Sequence, residues 1–200
     1  MGTDKDKISM FRFIKYKIKK SAARILKFLI NNSSEDVLFD IYKKMNTNYV
    51  NITYNTYREK YEISESFRFN GSDILFYDEG RIICGENSYI GSLSTIQSAD
   101  GCKVSIGKNV QISHNVRIYT TSNIADQDFS KTAKDKYHKS VIIEDYVWIG
   151  ANVFINPGIT IGANSIVGAN AVLTKDVPSY SIVGGVPARI IKNKTISIKT

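Results

Sequence analysis

The feature that most constrains this chain is a period of six. Between Ile143 and Pro178 every sixth residue is aliphatic: Ile143, Ile149, Ile155, Ile161, Val167 and Leu173. The position after it is usually small or polar, as at Gly150, Asn156, Gly162 and Gly168. A small or β-branched residue recurs at the fifth place, as Val147, Val153, Ile159, Ser165, Ala171 and Val177. A helix repeats its apolar side every ~3.6 residues and a half-buried strand every ~2, so neither fits. A β-solenoid does fit: each hexad is one short strand plus a turn, and the opening aliphatics stack inside.

A solenoid coil buries its apolar edge only on the coils above and below, so a stable one needs several. The same phase recurs upstream. Cys84, Ile90 and Ile96 open one set of hexads, and Ile106, Ile112 and Ile118 another. The period lapses between Tyr119 and Ser140 and resumes at Val141. The expected fold class is mainly β, a parallel β-helix built of hexapeptide repeats, with N-terminal helices and a loop excursion.

Ahead of the repeats, residues 1–8 are polar. Ser9 to about Asn31 reads as a helix, with Phe11, Ile14, Ile18, Ala22, Ile25 and Leu29 on one face. Lys15, Lys17, Lys19, Lys20, Arg24 and Lys27 charge the rest. Such a helix packs on the protein's own solenoid or on a neighbouring subunit, with its lysines in water; the other reading is peripheral contact with an anionic membrane surface through residues 9–31. Ser34 is placed to cap a second helix over Glu35 to Met45, with Val37, Leu38, Ile41 and Tyr42 as its expected buried face. From Tyr49 to Tyr77, alternation at Val50, Ile52 and Tyr54, at Phe67 and Phe69, and at Ile74 and Phe76 predicts strands that open and cap the solenoid. The domain reading is a helical extension over 1–48, a β-helix over 49–192 with its loop at 119–140, and a tail at 193–200. Between Tyr180 and Ile191, Gly184-Gly185 and Pro187 predict a turn and a short closing segment.

The excursion from Tyr119 to Ser140 is polar and carries no repeat. Insertions in solenoids gather on one face, where sites are built. Asp126, Asp128, Lys131, Lys134, Asp135 and Lys136 offer polar contacts for a hydroxylated substrate. The net charge of +8 suits anionic partners such as a phosphorylated cofactor or a nucleotide sugar. Cys84 and Cys102 have no metal-ligand spacing, and no metal is implied. No recognition motif accompanies the positive charge, so nucleic acid is not an expected partner. The first twenty residues lack the apolar core of a signal peptide, and no run reaches the ~18–20 residues a bilayer span needs, so the expected compartment is the cytoplasm.

The stretch INPGITIGANSIVGANAVLTKDVPSYSIVGGVPARIIK resembles the C-terminal part of the hexapeptide-repeat acyltransferases, and within them the maltose, galactoside and capsular-polysaccharide O-acetyltransferase branch. The likeness is specific from about Val104 to Lys192. It implies a left-handed parallel β-helix of three hexads per coil and a homotrimer. The implied activity is transfer of acetyl from acetyl-CoA to a sugar or surface-polysaccharide hydroxyl. The pantetheine slot would lie between two subunits. Ala151 and Ala169 match the small residues beside it, and Trp148 matches the tryptophan that lines the site. Thr174, Lys175, Arg189 and Lys192 match the places that meet the nucleotide end of coenzyme A.

Acyl transfer to a hydroxyl also needs a general base. The branch carries a histidine where this chain has Asn123, which has no titratable group. It also tends to carry an asparagine near the position of Gly91. Only two histidines exist in the chain. His138 lies where the excursion rejoins the repeats, close to the position of the missing base; Tyr137 before it matches a family tyrosine. His114 is at a turn comparable to that of the base in related sugar N-acetyltransferases. The alternatives at this point are His138, His114, a carboxylate from Asp126 or Asp128, or no base. The functions open at this point are O-acetyl transfer to a sugar, N-acetyl transfer to an amino sugar with His114 as base, and an impaired homologue that binds acyl-CoA or a glycan.

Overall fold

A computed structural model describes Ser21 and residues 24–195. The described residues fall into two compact units that part between Tyr49 and Val50. Helix α1 covers residues 24–32; helix α2 covers Glu35–Lys60. Most of the predicted helix face before Arg24 lies outside the described residues. In α1, Ile25 and Leu29 are exposed together with Leu26 and Phe28. The face expected to be buried on the second helix is not: no residue of α2 is buried, and Val37 and Tyr42 are exposed.

The strand reading at Val50, Ile52 and Tyr54 is corrected, because α2 continues through them to Lys60. Tyr54, Tyr57 and Tyr61 stand three and four apart, which is a helical face as much as an alternation. That face closes the end of the solenoid. Tyr54 stacks on Phe69 at 4.3 Å between centroids, and Tyr57 on Phe76 at 5.2 Å. Arg58 donates to the carbonyls of Ser64 (2.9 Å) and Phe67 (2.6 Å), fixing the turn that leaves the helix.

Three parallel ladders then wind around one core. The first face stacks Glu62–Ile63, Arg81–Cys84, Lys103–Ile106, Val141–Ile143 and Thr160–Ile161. The second stacks Arg68–Asn70, Tyr89–Gly91, Gln111–Ile112, Trp148–Ile149, Ile166–Val167 and Ser181–Gly185. The third stacks Leu75–Tyr77, Thr95–Gln97, Arg117–Tyr119, Phe154–Ile155 and Val172–Leu173. Ile143 pairs with Ile161, Ile149 with Val167 and Ile155 with Leu173, each eighteen residues on, so a coil is three hexads. Ile90, Ile96, Ile112, Ile118, Ile149, Ile155 and Ile161 are wholly buried, as the repeat requires. Cys84 occupies the same inward column, and burial pushes its thiol far above the ordinary range, which leaves it unreactive.

The corners explain the residues between the aliphatics. Asn87, Asn109, Asn115, Asn152, Asn164 and Asn170 all adopt φ between 55° and 62°. Asparagine tolerates this left-handed region better than most side chains, so each corner turns without strain. At one corner their amides form a ladder, Asn115 donating to Asn152 at 2.9 Å and Asn152 to Asn170 at 3.1 Å. After the last coil the chain doubles back, and Ala188–Asn193 pairs antiparallel with Ser181–Gly185. The predicted closing segment is therefore a strand.

Candidate active site

The excursion leaves the third face after Tyr119 and folds into an antiparallel hairpin of Thr121–Asn123 and Lys136–His138. Its base is pinned to the solenoid by Thr120, which is fully buried. The Thr120 hydroxyl accepts from the Ala99 amide at 2.8 Å, and its carbonyl accepts from the Lys139 amide at 2.8 Å. Gln127 bolts the far end. Its amide donates to the Ile124 and Asp135 carbonyls at 2.6 and 2.8 Å, and its oxygen accepts from the Asp135 amide at 2.7 Å.

Thr121 stands opposite His138, and Asn123 opposite Lys136. Directly paired residues share a face of a hairpin, and so do residues two apart along a strand. Thr121, Asn123, Lys136 and His138 are therefore on one face. Asn123 and His138 stand two rungs apart on this face, fifteen residues apart along the chain. Among the carboxylates considered as bases, Asp128 is held below its ordinary pKa by the backbone amide of Ser130 (2.9 Å) and then by its hydroxyl (2.7 Å), so it is a weakened proton acceptor.

A concavity of about 370 Å³ opens beside the hairpin, lined by Tyr77, Gln97, Tyr119, Thr121, Ser122, Asn123 and Lys136; His138 is exposed on the same hairpin and is not part of this lining. Tyr77, Gln97 and Tyr119 are rungs of one ladder on three successive coils. Gln97 and Thr121 carry the two buried side-chain polar atoms that have no hydrogen-bond partner among the described residues. Sequence reasoning passed over both. Gln97 sits in an interrupted hexad and Thr121 reads as the start of a polar loop, and only the coil register shows that they meet.

His114 is elsewhere. It follows Ile112 by two residues, as Ala151 follows Ile149 and Ala169 follows Val167, so all three stand in one column at the corner between the second and third faces. The His114 carbonyl accepts from Asn152 at 3.0 Å and the Ala151 carbonyl from Asn170 at 2.9 Å. Coils approach closely here: a Cβ on Gly150 would lie 2.6 Å from the Ala169 nitrogen. At Gly91 a Cβ would lie 2.8 Å from both the His114 Nδ1 and the Ser113 carbonyl carbon. No asparagine side chain fits at Gly91 in this backbone. Trp148 is on the outward side of the second face, half-exposed and paired with Gln111 and Ile166.

Lys175 and Arg189 come together. Both line a cavity of about 320 Å³ at the last coil, with Leu173, Val177 and Val183 as its apolar floor. Thr174 precedes Lys175 at the exposed corner, and Lys192 is exposed on the closing strand opposite Ile182. The three ion pairs among the described residues, Lys60–Glu79, Arg81–Glu62 and Lys108–Glu86, do not involve Lys175, Arg189 or Lys192; the Arg189 guanidinium donates to the Ala188 carbonyl at 2.9 Å. Among the described residues no group of three or more His, Cys, Asp and Glu could hold a metal ion.

Residues 140–175 match the family model described as bacterial transferase hexapeptide (six repeats). A hexapeptide-repeat acetyltransferase from Vibrio cholerae, solved with acetyl coenzyme A, is 30% identical, with 91% of this chain and 90% of that one covered and a TM-score of 0.58. A maltose O-acetyltransferase from Clostridium difficile is 32% identical over 88% of this chain and 86% of that one, with a TM-score of 0.55. The galactoside O-acetyltransferase of Escherichia coli is 38% identical over 119 residues, 60% of this chain. The matched part spans 57% of that relative, so the likeness in sequence reaches little more than half its length. The chain belongs to the hexapeptide-repeat acetyltransferases.

Proposed function

We propose that this protein is an O-acetyltransferase that moves acetyl from acetyl-CoA to a hydroxyl of a sugar or surface polysaccharide. The observation that carries the reading is the match over nine-tenths of both chains to a hexapeptide-repeat acetyltransferase solved with acetyl coenzyme A. The relatives that act on maltose and galactoside point to a carbohydrate acceptor. The arrangement suits the chemistry. Ala151 and Ala169, on a corner where coils nearly touch, give the pantetheine arm a smooth wall beside Trp148. Thr174, Lys175, Arg189 and Lys192 supply donors and cations for the phosphates. His138, on the hairpin face that also holds Asn123, takes the proton from the acceptor hydroxyl. The oxygen then attacks the thioester carbonyl, and the tetrahedral intermediate expels the coenzyme A thiolate, which is protonated as it leaves. A homotrimer completes the slot with a neighbour's wall.

Calorimetry tests the cofactor half. Lys175→Ala combined with Arg189→Ala should weaken coenzyme A binding about a hundredfold or more, since charge-assisted bonds contribute ~1.5–3 kcal/mol each. The loss should shrink at high salt. Unchanged affinity would remove both residues from the site.

A second reading has its own observation. His114 shares a column with Ala151 and Ala169, so it is the histidine nearer the proposed thioester path along the coil edge. Acetyl transfer to an amino sugar, with His114 as base, follows from that placement. We further propose action at the cytoplasmic face of a membrane. No helix among the described residues is long and apolar enough to cross one. Exposed Ile25, Leu26 and Phe28 beside Arg24 and Lys27 suit peripheral contact through residues 9–31. Flotation with vesicles rich in phosphatidylglycerol checks this: deletion of residues 1–31 should abolish binding, and retained binding would contradict it.

A further inference from the structure

The concavity beside the hairpin holds an anomaly. Buried polar atoms in folded proteins are nearly always paired, and leaving one unpaired costs ~1–3 kcal/mol. Here two unpaired atoms, Gln97 Oε1 and Thr121 Oγ1, belong to residues that line the same concavity. Gln97 is 7% exposed. Its orientation is not free: its Nε2 donates to Asp78 Oδ2 at 2.7 Å, and a carboxylate can only accept, so Oε1 is the end left without a partner. Asp78 is itself held. It stands at a left-handed φ of 81°, and its carbonyl accepts from Lys60 and from the Tyr61 hydroxyl, both at 3.1 Å. The end of α2 thus fixes Asp78, and Asp78 fixes which face of Gln97 is offered.

The neighbours on the ladder are aromatic. Tyr77 and Tyr119 flank Gln97 on the coils before and after it. Burial first, then Tyr119 and Asp78, pushes the Tyr77 phenol above its ordinary value, so it remains a hydrogen-bond donor at neutral pH. A fixed acceptor, a hydroxyl that can donate or accept, and two aromatic rings form a surface for a ring that is apolar on its face and hydroxylated at its edge.

We propose that Gln97 and Thr121 read the acceptor: Gln97 Oε1 accepts from one ring hydroxyl of a pyranoside, Thr121 Oγ1 bonds a second, and Tyr77 and Tyr119 bear on the sugar's carbon face. This rests on the transferase reading for the identity of the site, and it narrows the acceptor to a pyranoside with at least two free hydroxyls besides the one acetylated. Asn123 and Lys136 line the same concavity, so the bound ring would lie beside the hairpin that carries His138.

The test separates binding from chemistry. Ligand-observed saturation-transfer NMR is recorded with methyl β-galactopyranoside and methyl α-glucopyranoside on wild type, Gln97→Met, Thr121→Val and Thr121→Ser. Calorimetry with coenzyme A and sedimentation are run on each. Expected is saturation of at least one glycoside by wild type, about tenfold or weaker affinity in Gln97→Met and Thr121→Val, and near-native affinity in Thr121→Ser. Coenzyme A affinity and assembly state should be unchanged throughout. Glycoside binding that persists unaltered in both Gln97→Met and Thr121→Val overturns the proposal, and so does a wild type that binds neither glycoside. If coenzyme A binds while the glycosides do not, the transferase reading survives and the acceptor proposal fails. If glycosides bind as expected but coenzyme A does not, the reading of the fold as a transferase fails and the sugar site stands. Thr121→Val keeps the test decisive should Gln97→Met not fold, because Thr121 is only partly buried.

Discussion

His138→Ala is expected to lower acceptor-dependent turnover by about a hundredfold or more, while His114→Ala stays near wild type. A positioned general base contributes at least that factor, which corresponds to ~2.7 kcal/mol of barrier. The expectation rests on the hairpin. Its register sets His138 opposite Thr121 and places Asn123 and Lys136 on the same face, at the concavity. Thr120 pins the hairpin base through the Ala99 and Lys139 amides, so the imidazole hangs from a fixed rung. Asn123 has no titratable group and cannot take the proton. The split between kcat and KM is informative. Removing a base should depress kcat and kcat/KM together and leave coenzyme A affinity unaltered. A large loss in His114→Ala with His138→Ala unaffected would move the chemistry to the corner of Ala151 and Ala169 and favour amine acetylation. Two active variants would mean that neither histidine is the base.

Ile149→Ala should cost about 2–5 kcal/mol of stability, the range for truncating a fully buried aliphatic. Ile149 is wholly buried and stacked between Ile112 and Val167 in the second-face column. A solenoid has no second layer to slide into the gap, because each coil meets only its two neighbours. Gln111→Ala, outward on the same ladder, should stay within about 0.5 kcal/mol. Denaturant unfolding of the two variants makes the comparison. Equal, small effects would show that the inward column does not hold the coils together.

The contrast between these two residues also shows what could be read without coordinates. Ile149 announces itself, because every coil must place an aliphatic at the same point and the sequence repeats that demand every six residues. The corners are legible for the same reason: a left-handed turn favours asparagine, and Asn109, Asn152, Asn164 and Asn170 recur in phase. The cap was misread because Tyr54 and its neighbours satisfy two periods at once, and only contact with Phe69 and Phe76 decides for the helix. Val37 and Tyr42 look like a core face and are exposed. The cations at Lys175 and Arg189 could be named from the family likeness, but their convergence on one cavity depends on a strand that doubles back. Gln97 was invisible. A single polar residue in a broken hexad carries no pattern, and its meaning comes from Asp78 on the preceding coil and Thr121 on the hairpin.

The most direct test of the central claim is thiol release from acetyl-CoA by the purified protein, with a panel of sugars and nucleotide sugars as acceptors. Wild type is measured beside His138→Ala and His114→Ala. Release that depends on a hydroxylated sugar and collapses in His138→Ala is the expected result, and it would establish both the O-acetyltransferase and its base. No acceptor-dependent release, with coenzyme A still bound by calorimetry, would contradict it: Asn123 would then mark a lost active site in a fold kept for binding.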